Sequence, residues 1–478
     1  MGPGEIEHAV ALHRQGDIAA AEALYREILE TDSDNAEALH LLGVIALQRG
    51  DAAKAEELIA RALARQPERG EFHRNLALAL MSLDRPDQAA ESLKRAIALD
   101  PADAAALTNL SALHLRQRAI DDAIAAGERA VALAADSPEA VINLAMALRD
   151  RGRLVEAERW YRRGLELSPG TTGLRVNLAT ILRRQGRGEE AIELLRRTAV
   201  AAPDDGSIRA TLYHDLLRLG DWRDLPALAR DIDRLNKAAL AAGRPTPESA
   251  FLNLLRSEDA DYNFRIARSH ASELARRVSW AKDKLQRKPR RPAPRIRLGY
   301  LTADIWDHPT AHLAYGLFAG HDRSRFDVFL YSYGPDDGSA YRRKLAGDAE
   351  HFLELAGLDT LTAAQRIADD GIDILVDLKG HTMDAWLEIM ALRPAPIQLH
   401  WLGFPGSIGA EFLDYFIADP LVLPRGSADP YSEKIVRLPH CYQINDDRQA
   451  IGPMPSRTEA GLPEKALVLC CFNHAHKI

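Results

Sequence analysis

The apolar positions of the first half of the chain follow a helix-pair pattern that repeats every 34 residues without a slip. Ala21, Ala55, Ala89, Ala123, Ala157 and Ala191 mark the register. A turn slot precedes each alanine, held by Gly16, Gly50, Asp84, Arg118, Gly152 and Gly186, and Gly220 falls one period further on. Pro67, Pro101, Pro169 and Pro203 keep the same spacing. Each position has a physical task. A small alanine lets the second helix of a pair approach the first, a glycine relaxes the turn between them, and a proline stops the second helix before the next pair begins. The pattern predicts about six full pairs from residue 5 to residue 205, closed by a more degenerate unit around Gly220.

After about residue 245 that period is lost. Residues 248–285 read as further helix, and the Pro-rich basic run between 287 and 297 reads as a solvated linker. From Arg295 onward, apolar runs at 296–301, 326–331, 372–378, 397–402 and 413–418 are separated mostly by helical segments. That alternation predicts a parallel sheet with helices on both faces. Ligands of such sheets bind at the carboxyl ends of the strands. The unusual residues gather there: Asp304, Asp307 and His308 after the first run, Gly380 and His381 after the third, and Gly403, Pro405 and Gly406 after the fourth. His308 stands directly before Pro309 at a predicted helix start, where the helix dipole favours a neutral imidazole and a nearby anion. His308 and His312 are four apart but lack the glutamate of the H-E-x-x-H zinc motif, so no metal site is expected.

Composition narrows the class. With 478 residues, 46% apolar and 27% charged, the chain has room for two or three globular domains, and its alanine- and leucine-rich first half favours helix. A net charge of -8 leaves no broad basic excess to neutralise phosphates, so nucleic acid is not the expected partner. Three cysteines (Cys441, Cys470 and Cys471) give no disulfide framework and point to a reducing compartment. No signal peptide, myristoylation signal or membrane span is read, so the expected location is the cytoplasm.

The 34-residue register resembles the tetratricopeptide repeat family. Within it, Asn75, Asn109, Asn143 and Asn177 form a second ladder, each in an Asn-Leu pair of the first helix of a unit. In repeats of that family the first helix lines the inner groove. Asparagine is a mediocre helix former, so local stability does not explain its recurrence. Its amide offers both a donor and an acceptor to the backbone of an extended peptide. Alternatively, each asparagine bonds a neighbouring helix and stiffens the stack. The ladder breaks at Leu41 and Thr211.

The second half carries a longer resemblance. Leu298-Gly299-Tyr300-Leu301-Thr302-Ala303-Asp304, His308-Pro309-Thr310-Ala311-His312 and Ser332-Tyr333-Gly334-Pro335-Asp336-Asp337-Gly338 are similar to the protein O-linked N-acetylglucosamine transferase family. So are Leu392-Arg393-Pro394-Ala395-Pro396-Ile397-Gln398, Trp401-Leu402-Gly403-Phe404-Pro405-Gly406 and Tyr431-Ser432-Glu433-Lys434. Gly406 stands where the related fucosyl-transferring, SPINDLY-type branch typically has asparagine, which favours N-acetylglucosamine. Asp384-Ala385-Trp386 departs from the family's Asn-Arg pattern. The resemblance implies a repeat superhelix over 1–240, a helical linker over 241–294 and an N-terminal Rossmann-like lobe of GT-B type over 295–460. The start of a nucleotide-sugar-binding lobe would follow over 461–478.

It further implies metal-free, inverting transfer from UDP-N-acetylglucosamine to Ser or Thr of proteins held by the repeats, with no cofactor. By position His308 would lie beside the reacting sugar and the donor phosphates as the candidate base, Asp370 would match a second proposed base or proton relay, and His381 would face the donor. His474 would touch the donor, and Lys477 would contact the diphosphate as a point charge. Residues 466–472 read as a strand, which turns Cys470 and Cys471 to opposite faces and speaks against a zinc set with His474 and His476. In relatives most of the second lobe lies beyond the position of Lys477, so the expectation is an acceptor site and part of an active site, without most of the donor site. A non-catalytic repeat adaptor is the competing class.

Overall fold

A computed structural model of the chain describes residues 3–287, 294–426, 430–444, 446 and 452–468. It divides into two compact units, Met1–Arg187 and Gly188–Ile478.

The first unit is built of antiparallel helix pairs in the predicted register, from Pro3–Gln15 with Ile18–Thr31 through Pro138–Arg151 with Leu154–Leu167, followed by Thr172–Arg184. The marker alanines Ala21, Ala55, Ala89, Ala123 and Ala157 have no solvent exposure, which is the close approach the small side chain permits. All turn slots adopt positive φ. Gly50 and Gly152 do so freely, whereas Asp84 (φ 60°) and Arg118 (φ 62°) hold the same left-handed conformation at some cost. Geometry at this slot is therefore fixed by the packing of the pair, and glycine only makes it cheap.

The second unit begins with Gly188–Ala201, Gly206–Leu219 and Leu225–Ala241. The division at Arg187 falls inside the sixth predicted pair. The segment from 241, expected to be a helical linker, packs into the second unit. Ala250 and the apolar stripe Tyr262, Ile266, Ala267 and Ala271 of the Ala260–Arg277 helix share one core with Leu301, Phe329, Tyr331, Ile367 and Phe404 of the α/β body. A stripe at i, i+4, i+5 and i+9 is one helix face, and it is buried here. Glu248 is fully buried behind it, bonded to His214 (3.0 Å), Asn236 (3.0 Å) and Arg256 (2.7 and 3.1 Å). Every lone pair it takes out of water finds a donor.

Among the described residues the sheet has seven parallel strands: β1 (Ile296–Thr302), β2 (Phe326–Ser332), β3 (His351–Glu354), β4 (Ile374–Asp377), β5 (Ile397–His400), β6 (Tyr415–Ala418) and β7 (Lys434–Arg437). Their order is β3-β2-β1-β4-β5-β6-β7. Five were predicted; β3 and β7 were not. The order reverses direction between β1 and β4, the switch point at which doubly wound sheets open a crevice. Described residues 466–468 are not strand, and the rest of that predicted strand lies outside the described residues. Among the described residues no helix is long and apolar enough to cross a membrane.

Candidate functional site

The crevice is built at the carboxyl ends of β1 and β4. Asp304, two residues past β1, and Lys379, two past β4, meet across the switch point: Lys379 Nζ donates to both carboxylate oxygens at 2.8 and 3.0 Å. Each side chain is only 7% exposed. Two charges are thus held nearly dry, and each compensates the other's desolvation. Thr310 Oγ1 donates to Asp304 Oδ2 as well (3.2 Å).

His308 stands at the open side of this pair. Its Nδ1 lies 3.6 Å from Asp304 Oδ2 and accepts the backbone N–H of Thr310 at 3.2 Å. With Nδ1 taken as an acceptor, a neutral ring carries its proton on Nε2 and offers a hydrogen-bond donor to the crevice. Burial pushes the imidazole down; Asp304 pulls it up, Lys379 and His312 push it down again, and the balance lies below the ordinary value. Neutral His308 was expected, but the predicted cause needs correction. The helix after it, Pro309–Leu313, is five residues long. One turn sums few peptide dipoles, so burial and Lys379 account for the neutrality. His312 bonds Asp307 (2.7 Å) and stacks on Tyr341 at 4.0 Å.

Behind the crevice a second buried pair shapes the β4 loop. His400 has no exposure and bonds Asp377 Oδ2 through Nδ1 (3.2 Å) and the Phe404 carbonyl through Nε2 (2.7 Å). Both nitrogens face acceptors. Burial alone would lower its pKa, but the hydrogen bond and charge of Asp377 outweigh that and hold it above the usual value. Asp377 also accepts the backbone N–H of Lys379 (3.2 Å) and of Gly380 (2.6 Å). Gly380 has φ 60°, and a Cβ there would lie 2.6 Å from both His400 Cε1 and Phe404 Cβ. No other residue fits. The turn delivers His381 beside the crevice, where Nε2 donates to the Ile408 carbonyl (2.9 Å) and burial lowers its pKa to about 4. Glu433 braces the facing loop, accepting from Ser407 Oγ (2.6 Å) and Ile408 N (2.7 Å).

Other predicted residues fall elsewhere. Asp370 caps the Thr360–Asp369 helix at the amino ends of the strands, accepting from Tyr331 Oη at 2.9 Å, while Arg297 at the start of β1 bonds its carbonyl (2.9 Å). His308 is at the opposite end of the sheet, a strand length away, so the two proposed proton acceptors are not brought together. His474 and Lys477 lie outside the described residues, as do Cys470, Cys471 and His476. In the repeat unit, three of the four ladder asparagines bond the preceding pair. Asn75 Nδ2 donates to His40 Nε2 (2.8 Å), Asn143 Nδ2 to the Thr108 carbonyl (3.2 Å), and Asn177 Oδ1 accepts from Arg149 (3.0 Å). These bonds are the stiffening role. Among the described residues Asn109 makes no side-chain hydrogen bond, and it is half-buried.

The sequence reading missed Lys379, Asp377 and His400. A signal was present: Asp377 and Lys379 flank Leu378 at the end of an apolar run, and charges at the end of a buried strand require partners.

The family model described as glycosyl transferase family 41 matches residues 220–457. A model of the C-terminal domain of cilia- and flagella-associated protein 70 matches residues 5–212. A probable UDP-N-acetylglucosamine–peptide N-acetylglucosaminyltransferase SEC of Arabidopsis thaliana is 40% identical over 190 residues, covering 38% of this chain and 19% of the relative. The UDP-N-acetylglucosamine–peptide N-acetylglucosaminyltransferase of Caenorhabditis elegans is 44% identical over 158 residues, covering 33% and 14%. The chain thus spans a fifth or less of the length of these relatives. Among solved structures, a mutant of the Thermobaculum terrenum O-GlcNAc transferase aligns at 25% identity with a TM-score of 0.41, covering 72% of this chain and 59% of that one.

Proposed function

We propose, from the match of residues 220–457 to the glycosyl transferase family 41 model, that the chain serves transfer of N-acetylglucosamine from a uridine-diphosphate donor to Ser or Thr hydroxyls of proteins. The observation that carries this reading is the crevice at the β1/β4 switch point, where Lys379 and Asp304 are locked together and His308 presents Nε2–H beside them. Inverting transfer needs positive charge or donors for the departing diphosphate and an acceptor for the hydroxyl proton. His308 in this tautomer is a donor to a sugar or phosphate oxygen. His381, neutral and anchored to Ile408, contributes shape and a ring face. Asp370, at the far end of the sheet, takes no direct part, and the proton leaves by a route that this pair does not supply. Acceptors are held by the repeats, with Asn109 the ladder residue whose whole amide is open to a peptide. The cytoplasm is the proposed location, and no metal or cofactor is part of the proposal.

The test is to incubate the chain with radiolabelled UDP-N-acetylglucosamine and candidate acceptor proteins, and to follow UDP binding by calorimetry. Label on Ser or Thr supports the reading. Acceptor binding with neither transfer nor UDP binding would make the chain an adaptor and end it.

A further inference from the structure

Away from the switch point, a cavity of about 410 Å³ lies between the Ala260–Arg277 helix and the turn that ends the Leu225–Ala241 helix. Four guanidiniums line it, those of Arg244, Arg265, Arg268 and Arg276, against the single carboxylate of Glu273. In a chain of net charge -8 this is a local reversal of sign. Glu273 is spent on Arg276 (2.7 to 3.1 Å), and Arg265 lies 3.9 Å from Asp261. Among the described residues the side chains of Arg244 and Arg268 make no hydrogen bond or ion pair, and Ser272, which also lines the cavity, has a free hydroxyl.

The floor is rigid. The Ala260–Arg277 helix is docked by its apolar stripe, and a Cβ on Gly409 would fall 2.6 Å from Arg268 N. The backbone that carries Arg268 is therefore held on that side by the Gly409 loop.

We propose that this cavity binds a phosphate monoester carried on a peptide. Two unpaired guanidinium forks match a dianion better than a carboxylate, because each can donate two parallel N–H bonds to phosphate oxygens. The volume exceeds what a bare phosphate fills, and Leu240 and Pro245 supply an apolar flank for the residue that bears it. This site is independent of the transferase reading.

The test uses the full chain and three probes in calorimetry: a phosphoserine heptapeptide with neutral flanks, its unphosphorylated form, and inorganic phosphate. Expected is binding of the phosphopeptide at least about tenfold tighter than either other probe, weakening as salt rises. Arg244→Ala with Arg268→Ala, checked for unchanged circular dichroism, should lose at least about tenfold, whereas Arg230→Ala, outside the cavity, should not. Equal binding of the two peptides, or unchanged binding by the double variant, overturns the proposal. Inorganic phosphate binding as tightly as the phosphopeptide overturns the peptide assignment and leaves a free-anion site.

Discussion

Removing the Lys379 ammonium should change the protonation of a residue it does not touch. Replacing Lys379→Met leaves the Asp304 carboxylate buried at 7% exposure without its cation, 3.6 Å from His308 Nδ1. At an effective dielectric of ~20, unit charges at that separation attract by about 4–5 kcal/mol. Solvent at the open edge of the ring, which is 28% exposed, reduces this to a fraction. In the native protein Lys379 cancels much of the pull and itself lowers the His308 pKa. The variant should therefore raise that pKa and move the proton toward Nδ1. Breaking a buried pair on one side also destabilises, by about 3–5 kcal/mol. The assay is an NMR titration of the His308 ring, with nitrogen shifts reporting the tautomer, alongside urea denaturation. Asp304→Leu combined with Lys379→Met supplies the control, because it removes both charges. It should recover much of the stability and keep His308 neutral. A His308 pKa unchanged in the single variant, or raised equally in the double variant, would refute the argument.

Three further outcomes follow from the same geometry. Asn109→Ala should leave stability within about 0.5 kcal/mol while weakening acceptor binding, whereas Asn75→Ala and Asn143→Ala each lose a bond to the preceding pair worth about 0.5–1.5 kcal/mol; denaturation curves beside acceptor titrations separate the two. Gly380→Ala should destabilise the second unit and disorder the His381 loop, read as loss of His381 ring shifts, because φ is 60° and His400 and Phe404 occupy the Cβ position. Stability against urea should fall at both ends of the pH range. The raised pKa of His400 contributes stability that is present below about 6.5 and is lost as pH rises through its folded value. Glu248 is pushed up by burial but pulled further down by His214 and Arg256, so its contribution is present above about 4.5 and is lost as pH falls through its folded value. His400→Gln should flatten the alkaline limb alone.

The parts of this molecule that were legible in its sequence are those fixed by local sterics. The 34-residue register needed only an alanine too small to hold two helices apart and a slot with positive φ, and Asp84 and Arg118 show that the slot's geometry persists without glycine. The five predicted strands are buried runs. β3 and β7 escaped because edge strands are covered on fewer sides: His351–Glu354 and Lys434–Arg437 are at most half-buried and carry no apolar run. The Ala260–Arg277 helix was misread as part of a linker because its charges are conspicuous and its stripe of tyrosine, isoleucine and alanine is not.

The candidate site divides along the same line. His308 and His381 stand out by their place after strands, a local property. What decides their chemistry is not local. Lys379 and Asp304 are 75 residues apart and meet only because strand order reverses between β1 and β4. Asp370 shows the converse case. As an acidic residue at a matching position it looks catalytic, yet the helix it caps leads into β4, so chain direction alone places it at the amino end of the strands. Had that direction been applied to every candidate, Asp370 would have been set aside and Lys379, at the carboxyl end of the same strand, taken up. In a parallel sheet the end of the strand to which a residue belongs is therefore a stronger filter on a proposed role than its chemical type.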